Sequence, residues 1–361
     1  MRRLALFFTF FIAAMCIQGQ EIEIPAWVDH EVNETFARFN EWRGDDQVVV
    51  FPIQTDVHSG GRDTYRHVAY VNHAANTFGF DFIADLGDIG LDLPDTSTPE
   101  AARAFLDRHA RIHQEYPGVS VVLVGNHDHN RNSGTALFTD QQLGETLNVP
   151  SLAKATPECQ LVLALNPTYG YVNLPAKKTR VFFLNTSDRD DPKNYYTVSP
   201  IQLQFLADNM RFTEPGWNVI VLTHYCVRPI GHWNSDGGVG LHHGDTFLKI
   251  LSDFNARAKG EAEGVVWDFT SNKDCRVIAN LTGDSHFDSS EIYDGIIFAI
   301  SQGYGGVAPQ EMPEGSSVTK FDMNKMMLVD IAAFKPAKRE LRLFRLGAGG
   351  ADKDRRFDSG Q

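Results

Sequence analysis

The architecture is set out in the segment Val48-Val49-Val50-Phe51-Pro52-Ile53-Gln54-Thr55-Asp56-Val57-His58. An apolar run that stops in a polar, glycine-containing loop reads as a buried strand, and this one ends on an acid and an imidazole. The pattern then repeats. Residues 80–86 form a second apolar run ending in Leu86-Gly87-Asp88, and residues 119–124 form a third ending in Gly125-Asn126-His127-Asp128. The stretches between them, 65–78 and 99–115, are read as helices. Strands and helices alternating in this way predict a parallel sheet with helices on its faces.

Working outward, Val28, Val32, Phe36 and Phe39 fall on one helical face after Pro25, so a short N-terminal helix is expected to pack on the main body. Further strands are expected near 161–165, 180–184, 218–222, 277–281, 292–300, 326–333 and 340–346, with helices over 200–211 and 246–257. The expected organisation is a leader over 1–19, a helical segment over 20–46, one main domain over 47–346 and a Gly-rich, charged, flexible tail over 347–361.

The composition of the 361 residues, 42% hydrophobic and 22% charged, is that of a globular chain and excludes a mainly disordered, collagenous or polytopic membrane protein. Lys and Arg number 33 against 46 Asp and Glu, a net charge of −13 that becomes −15 when a leader carrying Arg2 and Arg3 is removed. Nucleic acids and anionic membranes are disfavoured as partners, because polyanion binding draws on basic contacts to phosphates. The leader itself has a basic start, Met1-Arg2-Arg3, then an apolar run too short to span a bilayer. It predicts export to a periplasm or the exterior, with no stable membrane insertion. Cys16 follows Met15, where a lipobox needs a small residue, so lipid anchoring is not expected. Cys159, Cys226 and Cys275 define no disulfide framework, and without a CxxC they suggest no thiolate zinc site.

Open α/β sheets place ligands beyond the carboxyl ends of their strands, and there the chemistry of this chain collects. The clusters are Asp56/His58, Asp88, Asn126-His127-Asp128, His224 after the strand at 218–222, and Asp284/His286 after the strand at 277–281. At a strand end, residues two apart point to one side and can share an ion. A third Asp-x-His, Asp107/His109, falls inside the helix over 99–115, where residues two apart lie on different faces, and it is read as solvated surface. The glycine-rich segment 228–244, with His232, Trp233, Asp236, His242 and His243, is read as a mobile rim over the substrate. His129 is read as a loop histidine, the Asp-rich 186–192 as a solvated turn, and Cys226 as a buried structural thiol.

Taken in order, these clusters resemble the calcineurin-like metallophosphoesterases, whose pattern is Asp-x-His, Gly-Asp, Gly-Asn-His-Asp/Glu, a lone His, then Gly-His-x-His. Four of the five blocks are intact, over roughly 48–346. The resemblance implies an α/β fold, a four-layer sandwich of two mixed β-sheets flanked by helices, in an exported bacterial-type member. It also implies two divalent metal ions: Asp56, His58 and His286 on one, Asp88 shared, and Asn126 and His224 on the other. Asp284 stands where the family has its first Gly-His-x-His histidine, and is read as a ligand of the second ion. Leu91 occupies the place of the purple acid phosphatases' tyrosine ligand, which argues against that subgroup.

A site of carboxylates, amide and imidazoles suits Mn²⁺, with Fe or Zn²⁺ as alternatives. Two such ions share a hydroxide, polarise phosphoryl oxygens and stabilise an in-line displacement. The expected reaction is hydrolysis of phosphomonoesters or phosphodiesters of a small phosphorylated substrate, with His127 as the acid that protonates the leaving group and Asp128 orienting its ring. The other reading of Asp128 is a helix or turn cap. A metallo-β-lactamase-type site is excluded, because His127-Asp128-His129 runs into Asn130 and Arg131 instead of completing His-x-His-x-Asp-His. The competing function is an exported, non-catalytic binding protein on a degenerate phosphoesterase scaffold, with Asp284 as the mark of decay.

Overall fold

The structure, a computed structural model, describes residues 22–57, 65–91, 98–129, 138–188, 196–228, 230, 240–303 and 327–358. The leader, His58 and most of the 228–244 segment lie outside the described residues. In chain order the first elements are α1 (Ala26–Arg43), β1 (Val49–Gln54), α2 (Tyr65–Phe78), β2 (Ile83–Asp85), α3 (Pro99–Glu115), β3 (Ser120–Val122) and α4 (Asp140–Leu147). Then come β4 (Gln160–Leu163), β5 (Gly170–Leu174), β6 (Thr179–Leu184), α5 (Pro200–Asn209), β7 (Asn218–Thr223) and α6 (Gly244–Ala256). The last are β8 (Lys259–Ala262), β9 (Val265–Asp268), β10 (Arg276–Thr282), β11 (Ser289–Tyr293), β12 (Ile296–Ile300), β13 (Leu328–Lys335), β14 (Glu340–Gly347) and β15 (Arg355–Asp358).

Two mixed sheets face each other. One runs β15-β14-β13-β1-β2-β3, the other β11-β12-β10-β7-β6-β5-β4. In the first, β1, β2 and β3 are parallel; in the second, β6, β7, β10 and β12 are. Alternate residues of β1 divide between two cores, as the period of two demands. Val49, Phe51 and Ile53 enter the layer between the sheets with Val181, Phe183, Leu222 and Leu281, while Val50 faces α1 and α2 with Val32, Phe39 and Phe78. Helices α5 and α6 cover the outer face of the second sheet through Leu203, Leu206, Phe247 and Phe254. Pro52 removes a ladder donor from a central strand. The β1–β2 ladder is correspondingly short, Ile53 with Ala84 and Gln54 with Asp85.

Two expectations are corrected here. The tail from 347 onward does not run free: a 3₁₀ turn at Gly350–Lys353 leads into β15, which pairs with β14. The single strand expected over 292–300 is the hairpin β11–β12, reversed at Asp294-Gly295, both at positive φ (50° and 70°). Asp-Gly is the dipeptide that such a turn favours.

The edge strands are tied inward by a buried charge network. Arg345 donates to Asp330 and Asp288, and Arg355 to Asp330. Burial opposes ionisation of Asp330, but Arg345 and then Arg355 hold its carboxyl at about 2. The unfolded carboxyl titrates near ~3.9, so this stabilisation is full above that pH and is lost as pH falls through the folded value. Urea midpoints should therefore drop as pH is lowered from about 4 towards 2, and an Asp330→Asn variant should show a smaller drop over the same window. Equal slopes for both proteins would refute this assignment.

Candidate metal centre

The carboxyl ends of β1, β2, β3, β7 and β10 open onto one place, and each delivers a polar residue there. Asp56, Asp88 and His224 are buried with ligand atoms within 4.8 Å of one another. His224 is oriented through Nδ1, which lies 2.9 Å from the Leu86 carbonyl as its donor partner, so Nε2 faces the cluster. Around that Nε2 stand Asn126 Oδ1 at 3.1 Å, Asp88 Oδ2 at 3.5 Å and Asp284 Oδ1 at 3.6 Å. On the other side His286 Nε2 lies 3.3 Å from Asp56 Oδ1. The sequence-predicted residues other than His58 thus form two neighbouring groups, Asp56 with His286 and His224 with Asn126 and Asp284, with Asp88 beside the second.

The backbone here is unusual. Asp56, Asp88, Asp284 and His286 all have positive φ, at 55°, 56°, 67° and 57°. Non-glycine residues rarely adopt that region, and such strain collects at functional sites. It also corrects the reasoning behind the Asp284/His286 pair. Both lie beyond the end of β10, so a strand's two-residue alternation does not aim them; left-handed turns do.

Close packing of the strand ends explains the glycines of the motifs. A Cβ on Gly125 would collide with Asp88 Oδ1, and one on Gly283 would collide with the Thr55 hydroxyl and lie 2.9 Å from Asp56 Oδ2. Asp128 uses its carboxylate on backbone N–H groups. Its Oδ2 accepts from the N–H groups of Asp88 (2.8 Å) and Gly125 (2.7 Å), and its Oδ1 from Ile89 (2.9 Å). It clamps the β2 and β3 ends together, close to the turn-cap reading. The backbone N–H of His127 donates to Asp88 Oδ1 at 3.0 Å, and the residue is half-buried.

The electrostatics favour a cation. Burial opposes a second proton on His224, yet Asp88, Asp284 and Asp56 hold its pKa well above the ordinary imidazole value. For Asp56, burial is outweighed by His286 and His224, and the carboxyl is held low. Carboxylate, amide and imidazole atoms 3.1 to 3.6 Å apart are spaced as ligands of shared ions are; with bonds of about 2.0–2.2 Å, neighbouring donor atoms fall roughly 3 Å or slightly more apart. The donor set therefore fits divalent metal ions.

Sequence reasoning missed Tyr196. Its ring stacks on Tyr225 with centroids 3.9 Å apart, and its hydroxyl hydrogen-bonds Asp284. Burial, then the Asp284 charge, pushes the phenol pKa up, so it stays a donor. No motif announces a tyrosine so far along the chain from the residues it meets.

Three bland readings are also corrected. His129 lies in the turn after β3 as a loop histidine does, but it is buried, with Nε2 2.7 Å from Asp140 Oδ1. At the start of the segment read as a solvated turn, Asp188 is buried and accepts from Gln202 at 2.6 Å. His109, read as surface, is fully buried, whereas Asp107 is only half-buried. Around His109 lies a second cluster, Asp85, His109 and His113. Cys226 is buried as expected, its thiol pushed up to about 12 by burial, and all three cysteines of the described residues are free. Arg228, at the start of the expected rim, pairs with Glu291 at 2.6 Å and lies over the Tyr293 ring.

No family model and no curated protein matches this sequence. Solved structures do. A dimetal phosphatase from Danio rerio is 12% identical, covering 87% of this chain and 100% of its own, with a TM-score of 0.54. The GAP50 anchor of the inner membrane complex of Plasmodium is also 12% identical, covering 86% of this chain and 89% of its own, with a TM-score of 0.47. At such identities the likeness is one of fold. That fold, two large mixed sheets flanked by helices, is the calcineurin-like metallophosphoesterase fold.

Proposed function

We propose that this chain is an exported phosphoesterase that hydrolyses small phosphomonoesters or phosphodiesters with two divalent ions, Mn²⁺ serving best. The observation that carries this reading is the buried convergence of Asp56, Asp88 and His224, from three strand ends on two sheets, beside Asn126, Asp284 and His286. Asp56, His58 and His286 would hold one ion, Asn126, His224 and Asp284 the other, and Asp88 both. When bound, the two ions supply Lewis acidity to the phosphoryl oxygens and activate the attacking water.

The chain's own residues do the rest. His224 keeps its Nδ1 proton on Leu86 O and presents Nε2 inward. Asp128 fixes the backbone that carries Asp88 and Asn126. His127, half-buried at the β3 end, gives its proton to the departing oxygen. Tyr196 donates to Asp284 and holds that carboxylate in place. A decayed, non-catalytic scaffold is not favoured, because Asp284, its one suggestive departure, keeps a carboxylate 3.6 Å from His224 Nε2. Among the described residues no helix is long and apolar enough to cross a membrane.

Metal analysis, with hydrolysis of an aryl phosphate and a bis-aryl phosphate before and after chelation, tests the reading. About two ions bound at this centre and Mn²⁺-restored activity are expected. A Mn²⁺-loaded protein with no ion bound there and no turnover of either substrate would overturn it. His127→Ala should keep these ions and lower kcat by about 10²- to 10⁴-fold, with less loss for leaving groups of low pKa. An equal loss across leaving groups would remove His127 from the acid's role.

A further inference from the structure

The second buried cluster lies on the other side of β2 from the candidate centre and is not needed for its chemistry. His109 and His113 stand four apart on α3, which puts both rings on one helix face. That face packs against the end of β2, where Asp85 points back at them. His109 Nε2 lies 3.4 Å and His113 Nε2 3.3 Å from Asp85 Oδ2, and the two Nε2 atoms are 3.1 Å apart. All three side chains are within 2% of complete burial.

Three polar atoms in so small a triangle cannot all be joined by near-linear hydrogen bonds. A cation at the centre satisfies them together: metal–ligand bonds of about 2.0–2.2 Å put tetrahedral ligands roughly 3.3–3.6 Å apart. We propose that Asp85, His109 and His113 bind a third divalent ion, a structural Zn²⁺, independently of the candidate phosphoesterase centre. Gln54 completes the set. Its amide Nε2 lies 2.5 Å from Asp85 Oδ2, and its Oε1 is buried without a partner among the described residues. Turned over and drawn back from Asp85 to ligand spacing, the amide presents that oxygen as the fourth ligand.

The surroundings match a closed structural site. His113 Nδ1 is held at 2.9 Å by the Ser120 hydroxyl, the kind of outer contact that fixes a ligating ring. His109 Nδ1 has no partner among the described residues, and its ring lies parallel to Phe105, so Nε2 is its one polar contact. With two imidazole nitrogens among four ligands and no room for water, the site selects Zn²⁺ over Mn²⁺ or Mg²⁺, which want more oxygens and waters. Its position has a consequence for the neighbouring centre. Asp85 Oδ1 accepts from the Gly87 N–H at 3.1 Å, and the intervening Leu86 carbonyl receives His224 Nδ1. An ion here pins the turn that carries Asp88.

The test uses Co²⁺ as a Zn²⁺ probe in an Asp88→Asn/His224→Asn variant, which empties the candidate centre. One Co²⁺ per chain is expected, with the intense visible bands of four-coordinate geometry, resistant to chelator until the protein is unfolded. Adding His113→Gln should abolish both ion and bands. No bound ion, or bands unchanged by His113→Gln, would leave the cluster as a hydrogen-bond network only. Should these variants fail to fold, anomalous diffraction from Zn²⁺-grown crystals of the unaltered protein decides. A peak between Asp85 and the two histidines supports the site, and its absence from crystals with Zn²⁺ at Asp56 and Asp88 overturns it. Neither outcome depends on whether the protein hydrolyses a phosphoester.

Discussion

Asp88→Asn is expected to lower kcat/KM for an aryl phosphate roughly 10⁵-fold, on the reading that both ions depend on one carboxylate and that each supplies several kcal/mol to the transition state. The substitution is chosen to spare the backbone. Asp88 has φ 56°, a conformation that asparagine also tolerates, and Asn Oδ1 can still accept the His127 N–H. What disappears is the second oxygen, the one 3.5 Å from His224 Nε2. Metal analysis should show the bound ions at this centre reduced or lost, while circular dichroism stays native. A variant that keeps both ions tightly and loses less than about tenfold in rate would show that Asp88 is not the shared ligand.

The residues of the centre were legible because each sits at the end of an apolar run, and an open parallel sheet can only gather such ends at one edge. Asp56, Asp88, Asn126, His224, Asp284 and His286 were all placed by that single rule. It says nothing about what approaches from elsewhere, and so Tyr196 stayed hidden. Where the sequence was misread, a local rule was applied to the wrong pair. Asp107 and His109 were judged together at a spacing of two, which on a helix separates them. The informative spacing was four, His109 to His113 on α3, and the acid beside them comes from β2. The strand expected over 80–86 shortened to Ile83–Asp85 because Asp81 turns its carboxylate onto the Val50 N–H at 2.8 Å, replacing a ladder bond with a side-chain one. The tail became β15 because β14 left an edge open and Arg355 could reach the buried Asp330. Neither event has a signature in local composition.

Asp284→Ala is expected to release the second ion and lower turnover by roughly 10³- to 10⁴-fold, the loss of one ion's several kcal/mol. Asp284 has φ 67°, which alanine disfavours, so Asp284→Gly is the companion that removes the carboxylate without backbone strain. Both should behave alike. Asp284→His is the opposite case. Histidine tolerates the left-handed region better than most residues, and an imidazole at this position can face the same space as His224 Nε2. With Asp56 and Asp88 left as the only carboxylates, the centre would carry less negative charge and one more nitrogen. Its preference should move from Mn²⁺ towards Zn²⁺ while both ions are kept. The Asp284 N–H donates to Asp56 Oδ2 at 2.9 Å, and that backbone bond survives every one of these substitutions. The contrast between Asp284→Gly and Asp284→His therefore reports on the ligand side chain, and Asp284→Ala against Asp284→Gly on backbone strain. If Asp284→Gly holds two ions as tightly as the parent, Asp284 is no ligand, and its carboxylate serves instead as the hydrogen-bond partner that seats Tyr196 against Tyr225.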